Sequence, residues 1–153
     1  MTPAFHETDP ASNRSMPQST VIPVLAYPDV REAIGWLCQV FGFSERLRIG
    51  QHRAQLSFGA GTIVVSALPK GEVGVTERPV GGTDSVMVRV PDVDAHYDTS
   101  CQFGARIINP PTDYPYGERQ YVVADLGGHV WTFSQTIADV DPASWDGVLL
   151  SDR

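Results

Sequence analysis

Apolar positions along this 153-residue chain fall into two runs of one pattern. From Val21 the stretch VIPVLAY is nearly continuous in apolar side chains and predicts a short strand. Asp29 then stands where a helix N-cap belongs, with Glu32 three residues on in a capping-box arrangement. Val30, Ile34, Leu37 and Phe41 recur at helical spacing, and Gly42 supplies the stop. Three extended runs follow, SERLRIG, HRAQLSFG and TIVVSAL, the last two separated by the Gly59-Ala60-Gly61 turn. The stretch from Pro69 to Thr83 is punctuated by Gly and Pro and reads as a linker. The order then restarts. Ser85 to Val90 predicts a strand, Asp92 caps a helix carrying Val93, Tyr97 and Cys101, Gly104 ends it, and ARIINPP, RQYVVAD and HVWTFSQ are the next three strands.

The chain thus reads as β-α-β-β-β twice, and the repeat is visible in letters as well as in pattern. PDVREAIGWLCQVFG, Pro28 to Gly42, is matched by PDVDAHYDTSCQFG, Pro91 to Gly104, with identities at matched offsets inside the same element order. Duplication accounts for this better than chance. The expected organisation is a flexible tail over 1–19, a first module over 20–68, a linker over 69–83, a second module over 84–136, and a tail over 137–153 whose Trp145 packs back onto the body.

Composition narrows the function. A net charge of −7 and no Lys/Arg stripe argue against binding a nucleic-acid backbone. No apolar run approaches the roughly 20 residues that span a bilayer, and the first residues, MTPAFHETDPASNRS, lack the basic start and apolar stretch of an export signal. A cytoplasmic location is the resulting expectation. The two cysteines, Cys38 and Cys101, are matching residues of the repeated phrase rather than a spaced metal pair, and read as reduced, inert, helix-borne thiols.

The stretch YGERQYVVADLGGHVWTF, Tyr116 to Phe133, resembles the second-module ending of the vicinal oxygen chelate superfamily, the group of glyoxalase, bleomycin-resistance and extradiol-dioxygenase proteins. Leu126 stands where that family usually has Pro, while Asp125 and the Gly127-Gly128 turn are kept. The resemblance covers residues 21 to about 136. It implies an α+β fold in which two repeated βαβββ modules form a cup-shaped mixed sheet around a cleft. Bleomycin-resistance-like members are similar to this chain in size and usually form homodimers.

Metal-dependent enzymes of that family draw ligands from the first and fourth strands of each module. Seven residues before the capping Asp, the matching positions here are Ile22 and Ser85. Seven residues after Asp125 stands Thr132, and the corresponding end of module one lies within Val64, Val65 and Ser66. Hydroxyls and aliphatic side chains do not replace the carboxylate and imidazole donors of a divalent site, so neither metal nor cofactor is expected. The rival reading gathers His52, His129, Glu118 and His96 into a relocated site.

Strand alternation places other side chains on the face of those positions. Ser85, Met87 and Arg89 share it in module two with Val130, Thr132 and Ser134, and Ile22, Val24 and Ala26 share it in module one; Trp131 and Phe133 fall on the helix-backed side. Arg89 has to meet a protein carboxylate, water or an anionic ligand, because an unpaired guanidinium in an apolar cleft costs several kcal/mol. Arg119 either braces Asp125 or touches a ligand, and Tyr114, Tyr116 and Tyr121 either stack on a planar molecule or pack the rim. Trp36 lies off the helical stripe. The expected ligand-binding cleft is Ile22, Val24, Ser85, Met87, Arg89, Tyr116, Arg119, Tyr121 and Thr132. The expectation is a dimeric, metal-independent protein that binds a small aromatic drug or metabolite, with an antibiotic-sequestering role. The alternatives are a lyase or dioxygenase with a relocated metal, and a purely structural dimerisation module.

Overall fold

The computed structural model describes residues 13–69 and 83–151. The first module comprises β1 (Val24–Tyr27), α1 (Val30–Trp36), β2 (Ser44–Ile49), β3 (Arg53–Phe58) and β4 (Gly61–Ala67). The second comprises β5 (Val86–Arg89), α2 (Val93–Gln102), β6 (Arg106–Tyr114), β7 (Glu118–Ala124) and β8 (Val130–Thr136). Most of the expected linker, 70–82, lies outside the described residues.

The two caps act as the repeat predicts. Asp29 accepts from the Glu32 N–H and Asp92 from the Ala95 N–H, each at 3.0 Å. Each carboxylate satisfies a donor that the first helical turn leaves without a partner. The first helix does not run unbroken to Gly42: after Trp36 it widens into a π turn over Leu37–Phe41 before Gly42, at φ 90°, reverses the chain. The strand predicted from Val21 begins only at Val24, since Pro23 has no N–H to give and contributes only its carbonyl, which accepts from the Val64 N–H at 2.8 Å. At the opposite margin β6 carries Pro110 and Pro111, which an outermost strand tolerates, and its register against β7 slips twice around them.

Each module forms its own four-stranded mixed sheet, ordered β1-β4-β3-β2 and β5-β8-β7-β6. The first and last strands of a module run parallel, the helix and two further strands supplying the crossover, and the other neighbours are antiparallel. The modules are joined through one hydrophobic core made by the helix-facing side of both sheets. Leu56, Ile63 and Val65 enter it from module one, and Tyr121, Val123, Trp131 and Phe133 from module two. Phe41, at the end of the π turn, reaches across to Phe133 at 4.8 Å, and Phe43 to Trp131 at 5.5 Å. Trp36 packs edge-on against Phe41 at 4.8 Å rather than standing free.

Buried polar bonds cross the same seam. The Asp125 carboxylate accepts from Tyr27 Oη of module one at 2.5 Å, from Trp131 Nε1 at 3.0 Å, and from the Gly127 and His129 N–H groups at 2.9 and 3.0 Å. Burial, then the neighbouring Asp125 charge and the hydrogen bond to it, push the Tyr27 phenol far above its ordinary range. His129 Nε2 donates to the Ala26 carbonyl at 2.8 Å. His96 Nε2 donates to the Phe41 carbonyl at 2.8 Å, which leaves Nδ1 to accept from Tyr121 Oη at 2.6 Å. Burial lowers the His96 pKa, which favours the neutral imidazole that this bonding pattern uses.

Two outcomes follow from these contacts. Asp125→Ala strands four donors and is expected to cost at least about 3 kcal/mol in urea unfolding, since hydrogen bonds to a charged group contribute roughly 1.5–3 kcal/mol each and leaving buried donors unmade adds desolvation cost. For His96 the folded pKa lies below the ordinary 6.5. Its contribution is accordingly complete above that value and is lost as pH falls through it. Melting temperatures between pH 8 and pH 5 should fall more steeply in the parent chain than in His96→Gln.

Candidate functional site

The sides of the sheets turned away from the core carry the polar chemistry, and pleat parity decides which residues reach them. On module two they are Met87 and Arg89 from β5, Thr132, Ser134 and Thr136 from β8, and Glu118, Gln120 and Val122 from β7, with Met87 paired to Thr132 and Gln120 to Ser134. A chain of hydrogen bonds runs over this face. Arg89 Nη1 donates to Thr136 Oγ1 at 2.9 Å, and Thr136 donates to Glu118 Oε2 at 2.6 Å. From the other end Gln120 Nε2 donates to Ser134 Oγ at 3.0 Å, and Ser134 donates to Glu118 Oε1 at 2.5 Å. Tyr116 Oη joins at the rim, donating to Gln120 Oε1 at 3.4 Å. Burial pushes the Glu118 carboxyl up, but the two hydroxyls and the Arg89 charge outweigh it and hold the group below the usual carboxylate range. Arg89 thus meets a protein acid through one intervening hydroxyl.

β1 and β5 are the free edges of their sheets, and cavities open between the modules beside them. The larger, about 600 Å³, is lined by Phe43, Phe58, Thr62 and Ile63 of module one and by Val86 to Arg89 of module two. The other, about 430 Å³, brings Val24 and Leu25 together with Ser85, Met87, His129 and Val130. The walls are mainly aliphatic and aromatic, with Arg89 as the charged residue among those lining the larger one.

Of the nine cleft residues expected, Met87 and Arg89 line the larger cavity, and Val24, Ser85 and Met87 the other. Thr132 adjoins Met87 on the same face, and Tyr116 stands at the rim, stacked on Tyr114 at 5.5 Å. Ile22 lies outside the strand and lines neither cavity. Two placements are corrected. Tyr121 is fully buried on the helix-facing side of β7, bonded to His96 and Ser100, and so belongs to the core. Arg119 has the same parity as Tyr121 and forms ion pairs with Asp113 of β6 at 2.6 Å and Asp94 of α2 at 2.9 Å; it does not brace Asp125. Counting in twos from core residue Val123 would have put both on the helix side. Gln120, Thr136, Phe43 and Phe58 escaped the sequence reading, and the same counting from Ser134 and across the β7–β8 register reaches the first two.

The ancestral metal positions offer no adequate donor set. Ser85, Thr132 and Ser66 supply hydroxyls and Val64 an aliphatic side chain, which do not fit a divalent ion. The four residues of the relocated alternative are not brought together: His96 is inside the core, His129 donates to Ala26, His52 sits beside the Gly50 turn, and Glu118 lies on the module-two face. Among the described residues no three His, Cys, Asp or Glu side chains converge as a metal site. Cys38 and Cys101 are both free, and burial pushes the Cys38 thiol up.

Comparison with known proteins decides the family. The profile of the Glyoxalase/Bleomycin resistance protein/Dioxygenase superfamily matches residues 20–133, which is most of the chain. The chain belongs to that superfamily. The chain is similar to TioX from Micromonospora sp. ML1, whose crystal structure is 40% identical, covers 77% of this chain and 98% of its own, and superposes with a TM-score of 0.63. A glyoxalase/bleomycin resistance protein/dioxygenase family enzyme from Burkholderia phytofirmans PsJN is 20% identical over 75% of this chain and 96% of its own, with a TM-score of 0.59, a likeness of fold alone. An uncharacterized protein of Mycobacterium bovis is 33% identical over 72 residues, which is 46% of this chain and 47% of that relative, so the match spans about half of each.

The superfamily ending Tyr116–Phe133 includes a turn that orients the rim. Gly117 sits at φ 85°, and a Cβ there would lie 2.1 Å from the Ala138 carbonyl oxygen. That close approach ties β7 to the segment whose Trp145 packs edge-on to Tyr116 at 5.5 Å. Gly117→Ala should cost about 1–3 kcal/mol, the usual toll of a strained backbone. It should also release Trp145, read as a change in tryptophan fluorescence in the folded protein.

Proposed function

We propose that this superfamily member is a metal-independent binding protein for a small aromatic or heteroaromatic molecule, held in the inter-module cavity beside β5, that works as a cytoplasmic homodimer and sequesters an antibiotic or a comparable metabolite. The observation that carries the reading is the roughly 600 Å³ apolar cavity with Arg89 in its wall. Its volume lies within the ~300–1,000 Å³ range of small-molecule sites, and a predominantly apolar lining with few polar groups is their usual character. Phe43 and Phe58, edge-to-face at 5.3 Å, present aromatic surface to a planar guest. Arg89 makes one hydrogen bond among the described residues, to Thr136, and a guanidinium has five N–H donors. The remaining donors suit a carboxylate, phenolate or similar acceptor on the ligand. The open-face groups offer no activated nucleophile, and Glu118, with a lowered pKa and two hydroxyls already on it, is a poor base.

A thermal-shift panel of aromatic and heteroaromatic drugs and metabolites tests this reading. A true ligand at 100 times its Kd stabilises by about 2.7 kcal/mol, a shift of several degrees. Arg89→Ala should weaken anionic hits by about tenfold, one charge-assisted hydrogen bond, and leave neutral hits unchanged. Stoichiometric Zn, Ni, Mn or Fe in protein purified without chelator, and required for an activity, would overturn it in favour of a lyase or dioxygenase. A panel with no shift at all would favour a structural dimerisation module.

A further inference from the structure

The two modules repeat each other in fold but not in cover. Equivalent positions follow from the registers: Val24 pairs with Val64 as Met87 pairs with Thr132, and Gln55 faces Val64 as Val122 faces Thr132. Gln55, Thr62 and Val64 on the outer face of module one are 5%, 8% and 7% exposed. Their counterparts Val122, Val130 and Thr132 are all half-buried, while the equivalent edge residues Val24 and Met87 are exposed in both modules, at 55% and 64%.

The cover is the chain's own N-terminal arm. Residues 13–19, expected to form part of a flexible tail, run over the module-one face with three successive main-chain carbonyls held by two side chains. Arg46 Nη2 donates to the Arg14 and Met16 carbonyls at 2.8 and 3.1 Å, and Gln55 Nε2 donates to the Ser15 carbonyl between them at 2.8 Å. The clamp is itself oriented, because Arg46 Nη1 donates to Gln55 Oε1. A β-bulge between Glu45 and Leu47 aims Arg46 over Gln55. The arm is shaped to fit. Asn13 Oδ1 accepts from the Ser15 N–H at 3.0 Å and the Asn13 carbonyl from the Met16 N–H at 3.2 Å, a turn that presents the carbonyls to the clamp. At its far end the Ser19 hydroxyl oxygen is cut off from solvent. The chain then continues through Val21 and Pro23, which form part of the wall of the larger cavity.

We propose that this arm is a removable strap, which occupies the module-one half of the ligand face and has to leave before a ligand can use it. This rests on the proposed small-molecule reading and extends it from the inter-module cavity to the outer face of module one, which the arm joins through Val21 and Pro23. A ligand that takes the arm's place inherits its partners, so it has to offer acceptor oxygens spaced for Arg46 and Gln55 as well as apolar surface for Val64. The hold can be released because its acceptors are neutral carbonyls rather than a carboxylate and Arg46 is exposed, so water competes for the same donors.

Two full-length variants separate the strap from its consequences. Arg46→Ala removes the clamp, and Asn13→Ala breaks the arm's turn while leaving Arg46 and Gln55 in place; both substitute exposed residues. Trypsin cleavage at the Arg14–Ser15 bond, followed by mass spectrometry, reads how firmly the arm is seated. We expect cleavage at least ~10-fold faster in Arg46→Ala and about 3-fold faster in Asn13→Ala, since cleavage follows the population of the released arm. Binding of 8-anilinonaphthalene-1-sulfonate, an aromatic probe with acceptor oxygens, should tighten at least about 3-fold in Asn13→Ala. Unchanged cleavage in both variants means the arm is not held there, and faster cleavage with unchanged dye affinity means it covers no binding surface; either result overturns the proposal. A drug panel without hits would defeat the ligand reading, yet the cleavage rates would still report on the strap.

Discussion

The structure depends on a carboxylate that belongs to neither module alone. Asp125 sits at the end of β7 in module two, yet one of its oxygens is shared between Tyr27 of module one and the indole of Trp131, while the other holds the turn that leads into β8. Its four donors are the sort of complete satisfaction that makes a buried charge tolerable. Because Trp131 and Tyr27 are also core side chains, the same contact sets the angle at which the two sheets share their apolar faces. His129 and His96 repeat the device at two further points of the seam, each donating to a module-one carbonyl. These bonds tie the two modules together, and the cavities lie between the modules beside β5.

Pleat parity then divides the chemistry. In the middle of β7 and β8 the helix-facing residues Tyr121, Val123, Trp131 and Phe133 are committed to the core, while Arg119 and Gln135 at the same parity bond to α2 and its start. The alternate residues form a polar ladder that converges on Glu118. Convergence has a chemical consequence. Ser134 and Thr136 spend their protons on the carboxylate and Arg89 spends one of its own on Thr136, so the face is internally neutralised and only the outer edge of the guanidinium is left to address a guest. In the proposed reading, shape and this one charged contact are what hold the guest.

Much of the fold was legible because duplication doubles the signal. Asp29 and Asp92 announce both helix starts, and Gly42 and Gly104 both ends; the alternation in HVWTFSQ correctly assigns Trp131 and Phe133 to the core. Site residues were less legible. Arg119 and Tyr121 stand in YGERQY, whose aromatic and charged letters suggest a rim, although counting in twos along the RQYVVAD strand gives them the parity of Val123. The π turn and the late start of β1 were hidden for another reason: both come from local backbone competition, a missing proline N–H and a widened helical turn that aims Phe41 at the second module. Neither leaves a periodic trace. The seating of residues 13–19 was hidden most completely, because a segment of Ser, Asn, Gln and Pro has no apolar pattern, and what holds it is its main chain.

That last point bears on how a duplicated scaffold becomes asymmetric without changing its fold. Both modules place a donor-bearing side chain of the third strand against a hydroxyl of the fourth, Arg53 against Ser66 and Gln120 against Ser134. In module two the neighbouring cation, Arg89, is turned toward an internal carboxylate, and the outer face around Met87 stays uncovered. In module one the corresponding work falls to Arg46, whose bonds go to Gln55 and to carbonyls of the arm. A cation satisfied by neutral acceptors on a tethered segment gives them up more readily than one satisfied by a buried acid, because the charge–charge contribution is missing. The two halves therefore differ in what satisfies their cations, an internal acid reached through Thr136 in one and main-chain carbonyls of residues 14 and 16 in the other, and the proposed strap rests on that difference.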